Sequence, residues 1–79
     1  MPREGFFIIP GGVGPQVVVR IKDGVAHPYR FHNRGVMGFV VGGVQISTGN
    51  SADVATDSDE ILINDPGTGN YAIGVFESL

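Results

Sequence analysis

The chain has no cysteine among its 79 residues. This excludes disulfide bonds and any zinc site built on thiolates. A chain of this length buries only about 60–65% of the surface that its unfolded form exposes, so its own core is thin. Such small domains are usually stabilised by disulfides, by a metal ion or by association with other subunits. With disulfides excluded and metal ligands scarce, we expect a homo-oligomer without cofactors.

Long apolar segments are also missing. The run Phe6-Phe7-Ile8-Ile9 is too short for the core of a signal peptide. The uncharged stretch 35–44 is too short and too rich in glycine to cross a bilayer. We therefore expect no membrane association, and synthesis and first folding in a cytoplasm.

Positive charge is absent from the second part of the chain. All five Lys and Arg residues lie within residues 1–34, whereas residues 35–79 carry six carboxylates. The net charge of −3 argues against nucleic acid as a partner. The asymmetry could direct contacts between oppositely charged regions of neighbouring copies. Alternatively, the two parts interleave in one β fold and the charges mix on its surface.

Thirteen glycines and five prolines interrupt the chain at short intervals, and β-branched residues fill the gaps. No segment has the apolar repeat of an amphipathic helix. Short strands with frequent turn signals predict an all-β single domain over residues 1–79, a small antiparallel β-sandwich or barrel of about 6–8 strands. Residues 1–9 could extend as an N-terminal arm. Strands are predicted near residues 5–9, 16–22, 25–32, 36–41, 44–48, 52–56, 60–64 and 71–76.

Three turns are predicted to close hairpins. Asp23-Gly24 and Gly42-Gly43 suit type I′ turns, which need positive φ at both central residues. The loop 65–70 is predicted to join the last two strands in the same way.

Pro28 affects whether Tyr29 and Phe31 lie in the core or on an exposed face. Continuous pairing across Asp23-Gly24 would place Tyr29 and Phe31 on an exposed face beside basic residues. Proline occurs in sheets mainly at edges or bulges. We favour a bulge at His27-Pro28 that turns both aromatic side chains into the core.

No group of residues in the sequence strongly indicates a catalytic, nucleotide-binding or metal-binding site. His27 and His32 point to opposite faces of a strand, which argues against a shared metal site. The acidic stretch 53–65 lacks the EF-hand spacing, although its clustered oxygens leave calcium open. The loop 11–14 (GGVG) lacks the P-loop and dinucleotide signatures and is interpreted as a flexible surface loop. The serines lie in polar turns or near a terminus. The sequence leaves open whether Ser, His and Asp side chains meet in the folded protein, but we expect that the protein is not an enzyme.

The glycine-rich, cysteine-free, β-branched chain and its ending, 60–76 (EILINDPGTGNYAIGVF), resemble the small all-β decoration or cement proteins on the heads of tailed bacteriophages. That resemblance implies a trimer or capsomer-bound cluster that stabilises a shell of major capsid protein, no catalytic residues, and location in the virion. The alternative is a binding module for single-stranded nucleic acid or glycan that uses Tyr29 and Phe31. The residues predicted to form the interface are Arg20, Lys22, Tyr29, Arg30, Phe31, Arg34, Asp57, Asp59 and Glu60, beside the segment 2–9.

Overall fold

The computed structural model of the chain describes residues 4–20, 27–56 and 60–79. These residues form strands, turns and loops, and every predicted strand has a counterpart among them. The strands are β1 (Glu4–Pro10), β2 (Gln16–Arg20), β3 (His27–Asn33), β4 (Phe39–Val41), β5 (Val44–Ile46), β6 (Ser51–Thr56), β7 (Glu60–Ile63) and β8 (Tyr71–Ser78).

The strands form two four-stranded antiparallel sheets that pack face to face. The first sheet has the order β1-β8-β3-β6, and the second has the order β2-β7-β4-β5. The predicted all-β class is therefore confirmed, and the fold is a sandwich, not a closed barrel. The chain crosses between the sheets at every connection except the one from β4 to β5. This strand order is that of an eight-stranded jelly roll.

The turn at Gly42-Gly43 is the predicted hairpin. Both glycines have positive φ, 56° and 80°, as a type I′ turn requires. Val41 lies opposite Val44 and Phe39 lies opposite Ile46. Because side chains alternate along a strand, this register turns Phe39, Val41 and Ile46 into the core.

The other two predicted hairpins are wrong. The Asp23-Gly24 turn itself lies outside the described residues, but β2 and β3 on either side of it belong to different sheets. The loop 65–70 likewise carries the chain from β7 in the second sheet to β8 in the first. A connection between stacked sheets needs the same glycine, asparagine and proline residues as a hairpin does, so local turn chemistry could not separate the two cases.

Residues 4–10 form a strand, not an arm, and residues 1–3 of the predicted arm lie outside the described residues. Residues 4–10 pair with β8 along the whole of β1, from Glu4 opposite Glu77 to Pro10 opposite Tyr71. The alternation sends Phe7 into the core and leaves Phe6 and Ile8 exposed.

The core lies between the sheets and includes Tyr29 and Phe31. Tyr29 is 1% exposed and Phe31 is fully buried. Their burial confirms the favoured interpretation, but the expected bulge is absent, because β3 pairs with β6 without a register shift from His27 onwards. A register shift occurs in β2 instead, between Val17 and Val19.

Pro28 is tolerated because of where it lies in the ladder. Leu79 N–H donates to the Pro28 carbonyl at 3.0 Å. The proline nitrogen points to the same side of β3, towards the place where β8 ends at Ser78. The missing donor therefore falls at the end of the β3–β8 ladder, where it interrupts no continuing pairing.

Candidate functional site

The outer face of the first sheet, meaning its side away from the second sheet, carries an apolar stripe. On β1 and β8 the residues that alternate with the core are themselves apolar, except for the cross-strand pair Glu4 and Glu77 at one end. Cross-strand pairs join Phe6 to Val75 and Ile8 to Ile73. Phe6 is 64% exposed, Ile8 52% and Tyr71 53%. The apolar stripe consists of Phe6, Ile8, Tyr71, Ile73 and Val75.

The segment 2–9 is among the predicted contacts, but that prediction does not rest on the apolar stripe. The run Phe6-Phe7-Ile8-Ile9 is too short for the core of a signal peptide, yet it carries a second signal. On an antiparallel strand with one buried face, four consecutive apolar residues must place two side chains on the solvent side. The outward pair is an exposed apolar surface that burial in this chain does not explain.

The other half of the outer face, on β3 and β6, is charged and internally paired. Arg30 Nε donates to Asp53 Oδ1 at 2.8 Å, and both side chains are about half exposed. The hydrogen bond to Arg30 lowers the pKa of Asp53, and the same bond raises the pKa of Arg30. Arg30 also lies opposite Glu77 of β8. A polar rim beside an apolar stripe is the usual arrangement of a protein interface.

A hydrogen-bonded chain crosses three strands of the same face. Ser51 Oγ lies 2.6 Å from His32 Nδ1, and Glu77 Oε1 lies 3.0 Å from His32 Nε2. With its proton on Nε2, the ring donates to Glu77 and accepts the Ser51 hydroxyl. Sequence reasoning treated Ser51 as an ordinary turn residue and did not bring these three side chains together.

A groove of about 580 Å³ lies on the β1 and β8 side of His32. It is lined by Glu4, Gly5, Phe6, His32, Arg34, Val75, Phe76 and Glu77. Serine, imidazole and carboxylate are the groups of a serine-hydrolase triad. Ser51, however, lies on the opposite side of the His32 ring and does not line the groove. The Ser51 hydroxyl is thus separated from the space that a substrate would occupy. The hydrogen bonds from Ser51 through His32 to Glu77 are better explained as contacts that join neighbouring strands.

The predicted interface residues have mixed outcomes. Tyr29 and Phe31 belong to the core, which removes them from any contact surface and takes away the side chains on which the nucleic-acid or glycan alternative depended. Arg20 and Glu60 are cross-strand partners joined by an ion pair of 3.3 Å, so this basic group meets a carboxylate of its own chain. Arg34 is exposed at the groove. Lys22, Asp57 and Asp59 lie outside the described residues.

The loop 11–14 binds an anion, and the anion belongs to the chain itself. The Asp65 carboxylate accepts the N–H groups of Gly12 at 2.9 Å, Gly67 at 2.7 Å and Gly14 at 2.8 Å. The two loops approach so closely that a Cβ on Gly11 would lie 1.6 Å from the Gly67 carbonyl oxygen. The expected flexible surface loop is therefore held by Asp65, and its N–H groups form an anion-binding geometry although it lacks a phosphate-loop signature.

Replacing Asp65 with asparagine is expected to lower the melting temperature at pH 7 by several degrees. The N–H groups of Gly12, then Gly67 and Gly14, hold the pKa of Asp65 below its usual value of 3.8. A lowered folded-state pKa stabilises the fold above the unfolded-state pKa, and this contribution is lost as the pH falls through the folded-state pKa. Thermal unfolding of both proteins from pH 7 to pH 2.5 should therefore show their difference narrowing in acid.

The matched control for this measurement is Asp53→Asn. Asp53 bonds an exposed arginine side chain, and an exposed pair contributes little to stability. The control should lower the melting temperature at pH 7 less than Asp65→Asn does. A difference between Asp65→Asn and wild type that stays constant over the whole pH range would show that the carboxylate charge has no part in holding the loops.

Within residues 4–20, 27–56 and 60–79, no group of three or more His, Cys, Asp or Glu side chains is placed to hold a metal ion. The same residues contain no helix long and apolar enough to cross a membrane. No protein-family model, curated protein or solved structure matches the chain. What the fold and the candidate site define is a class: a small antiparallel β-sandwich that exposes an apolar stripe on one sheet.

Proposed function

We propose that this protein is a structural protein that associates with further copies of itself, and with a larger protein shell such as a capsid, through the outer face of its first sheet. The observation that carries the proposal is the apolar stripe, with Phe6, Ile8 and Tyr71 each more than half exposed. Contiguous exposed apolar surface rimmed by polar residues marks protein contact sites.

Two further considerations support the proposal. The small core leaves a thin stability margin, which partner subunits would increase by mass action. The jelly-roll strand order is shared with many capsid proteins, although it also serves lectins and cupins. That second argument is an analogy of fold and does not by itself give a function.

The charged residues contribute less to this proposal than the sequence suggested. Arg20 and Arg30 both meet carboxylates of their own chain, at 3.3 Å and 2.8 Å. Reversing the charge of Arg30 would break an internal pair as well as any external one. A loss of association in that variant would therefore not identify a contact, and apolar residues give the cleaner test.

Replacing Phe6 with lysine is expected to weaken self-association at least about tenfold, which corresponds to about 1.4 kcal/mol. A charge would then stand in the middle of the apolar stripe, where association places it against apolar side chains of the second copy. Sedimentation velocity over a wide range of protein concentration measures the dissociation constant. Circular dichroism of the variant checks that the sandwich is intact, which is expected because Phe6 is outside the core.

The matched control is Leu62→Lys on the second sheet. Leu62 is 43% exposed and lies opposite Val17, so it is an outward apolar residue on a paired strand, as Phe6 is. It should leave association unchanged. A wild-type protein that stays monomeric at every concentration, or equal losses in the two variants, would contradict the assignment of the contact to the first sheet.

A further inference from the structure

β1 is an open edge of the first sheet, because β8 pairs with only one of its sides. Gly11 N–H donates to the Asn70 carbonyl at 2.9 Å, which fixes the phase of the ladder. Main-chain groups point to alternate sides along a strand, so Ile9 and Phe7, two and four residues before Gly11, also bond to β8. The main-chain groups of Glu4, Phe6 and Ile8, and the carbonyl of Pro10, therefore point to the open side. No described residue bonds to them.

The three other edge strands are less suited to pairing. β2 has five residues and a register shift between Val17 and Val19. β5 has only three residues. β6 has six residues, and it carries Asp53 on its outer side. Short, bulged and charged edges are the ordinary protections against strand addition. β1 has seven residues in unbroken register, and its two protections, the charge of Glu4 and the missing N–H of Pro10, lie at its two ends.

We propose that the open edge of β1 pairs with β1 of a second copy, antiparallel and about a two-fold axis at Phe7. Phe6 then lies opposite Ile8 of the second copy, and Glu4 lies opposite its Pro10. Each Phe6–Ile8 pair exchanges two main-chain hydrogen bonds. Glu4 N–H adds a bond to the proline carbonyl, so the residue that lacks a donor is used only as an acceptor. This inference rests on the proposed function and specifies its partner and geometry.

The placement of charge and the overlap of the strands select this register among the antiparallel alternatives. The shift that places Phe6 opposite Pro10 of the second copy overlaps only five residues of β1 and leaves the Phe6 carbonyl without an N–H. Only residues that point to the open side can exchange bonds, so neighbouring registers differ by two residues. One of them places Glu4 opposite Ile8 of the second copy, which sets a carboxylate within the apolar stripe. A more distant one places the two Glu4 residues opposite each other, where like charges repel. In the proposed register both carboxylates lie at the ends of the joined strands, and all seven residues of β1 overlap.

The joined structure is a continuous eight-stranded sheet. The apolar stripes of the two copies meet across the new strand pair, with Phe6 and Ile8 side chains from both copies adjacent on the outer face. Pairing therefore satisfies the open edge and at the same time doubles the apolar face that is available to a larger protein surface.

Cysteine cross-linking tests the register directly, because the chain has no cysteine of its own. Phe6→Cys and Ile8→Cys proteins are oxidised separately and as an equal mixture. Opposed residues of such a strand pair have Cα atoms about 5.5 Å apart, which a disulfide can bridge. The mixture should yield mainly the hetero-dimer that joins one variant to the other. Preferential homo-dimers of the Phe6→Cys protein would overturn the register, and no more cross-linking than a Leu62→Cys control would overturn the strand pair.

A second pair of variants separates the strand edge from the apolar stripe. Ile8→Pro removes one N–H from the open edge but none that bonds to β8, so the monomer keeps all its main-chain hydrogen bonds. Ile8→Ala keeps the N–H and removes more apolar surface. Edge pairing predicts that Ile8→Pro weakens association at least about tenfold more than Ile8→Ala does.

If Ile8→Ala weakens association more than Ile8→Pro does, while Phe6→Lys still weakens it, the edge inference is overturned and the proposed function stays in place. If Phe6→Lys has no more effect than Leu62→Lys, the proposed function itself fails. The melting temperature of Ile8→Pro should lie near that of Ile8→Ala, which confirms that both monomers fold.

Discussion

Replacing Phe31 with alanine is expected to reduce the free energy of unfolding by about 3–5 kcal/mol. The side chain is fully buried at the centre of the first sheet, on β3. Its ring centroid lies 5.4 Å from that of Phe76 and 6.2 Å from that of Phe7. Alanine would leave a cavity among these rings. Native proteins have unfolding free energies of about 5–15 kcal/mol, so this loss is more than half of the stability of a domain near the lower end of that range.

Urea denaturation followed by circular dichroism measures this loss. Phe31→Leu keeps most of the volume and should fall between wild type and alanine, so a value is obtained even if the alanine variant does not fold. Phe6→Ala is the matched control, because it removes the same side chain from a position that is 64% exposed. The control should cost less than about 1 kcal/mol. Equal losses at the two positions would contradict the assignment of Phe31 to the core and Phe6 to the contact face.

The local parts of the fold were predictable from sequence, and the pairing of distant segments was not. Strand positions follow from β-branched runs bounded by glycine and proline, and Gly42-Gly43 joins strands that are neighbours both in sequence and in the sheet. The other pairings join segments far apart, such as Glu4 with Glu77 and Arg30 with Asp53. No local signal specifies them, because sheet order is decided by which faces bury together.

The candidate site was only partly predictable for the same reason. The apolar stripe was recoverable from the run that begins at Phe6, since its alternation could not bury every side chain. The pairing of Arg30 with Asp53, the chain from Ser51 through His32 to Glu77, and the cradle around Asp65 each combine residues from different strands or loops. Charge asymmetry along the sequence favoured contacts between copies. In the structure the interleaved strands bring Arg20 to Glu60 and Arg30 to Asp53 within one chain.

Asn33 is the one buried polar residue among the described positions, and it ties the two sheets together at the end of β3. Its side-chain Nδ2 donates to the Met37 carbonyl at 2.8 Å and to the Ile46 carbonyl at 3.0 Å. Its Oδ1 accepts Gly35 N–H at 2.9 Å. One amide side chain thus satisfies three main-chain groups of the loop 34–38 and of β5. Neither hydrophobic periodicity nor turn preference marks such a residue, because the partners are fixed only when the sheets have packed.

Replacing Asn33 with alanine is expected to cost about 2–4 kcal/mol, because three main-chain groups lose their partner in a buried position. Urea denaturation at pH 7 measures this loss, with Asn70→Ala as the control, since Asn70 is exposed and its side chain makes one hydrogen bond, to the Pro66 carbonyl. A loss at Asn33 no greater than at Asn70 would show that the buried amide does not hold the loop.

Asn33→Asp sharpens the test, because it keeps the shape and the acceptor but replaces the donating amide with a carboxylate. The charged group would face the Met37 and Ile46 carbonyl oxygens without a donor, so burial and repulsion should raise its pKa. A raised folded-state pKa means that the folded form binds the proton more tightly, and stability relative to wild type should recover as the pH falls from 7 towards 4. Asn33→Ala should show no such recovery. If the aspartate variant keeps a constant deficit over this range, the two amide donor bonds are not what the fold requires from Asn33.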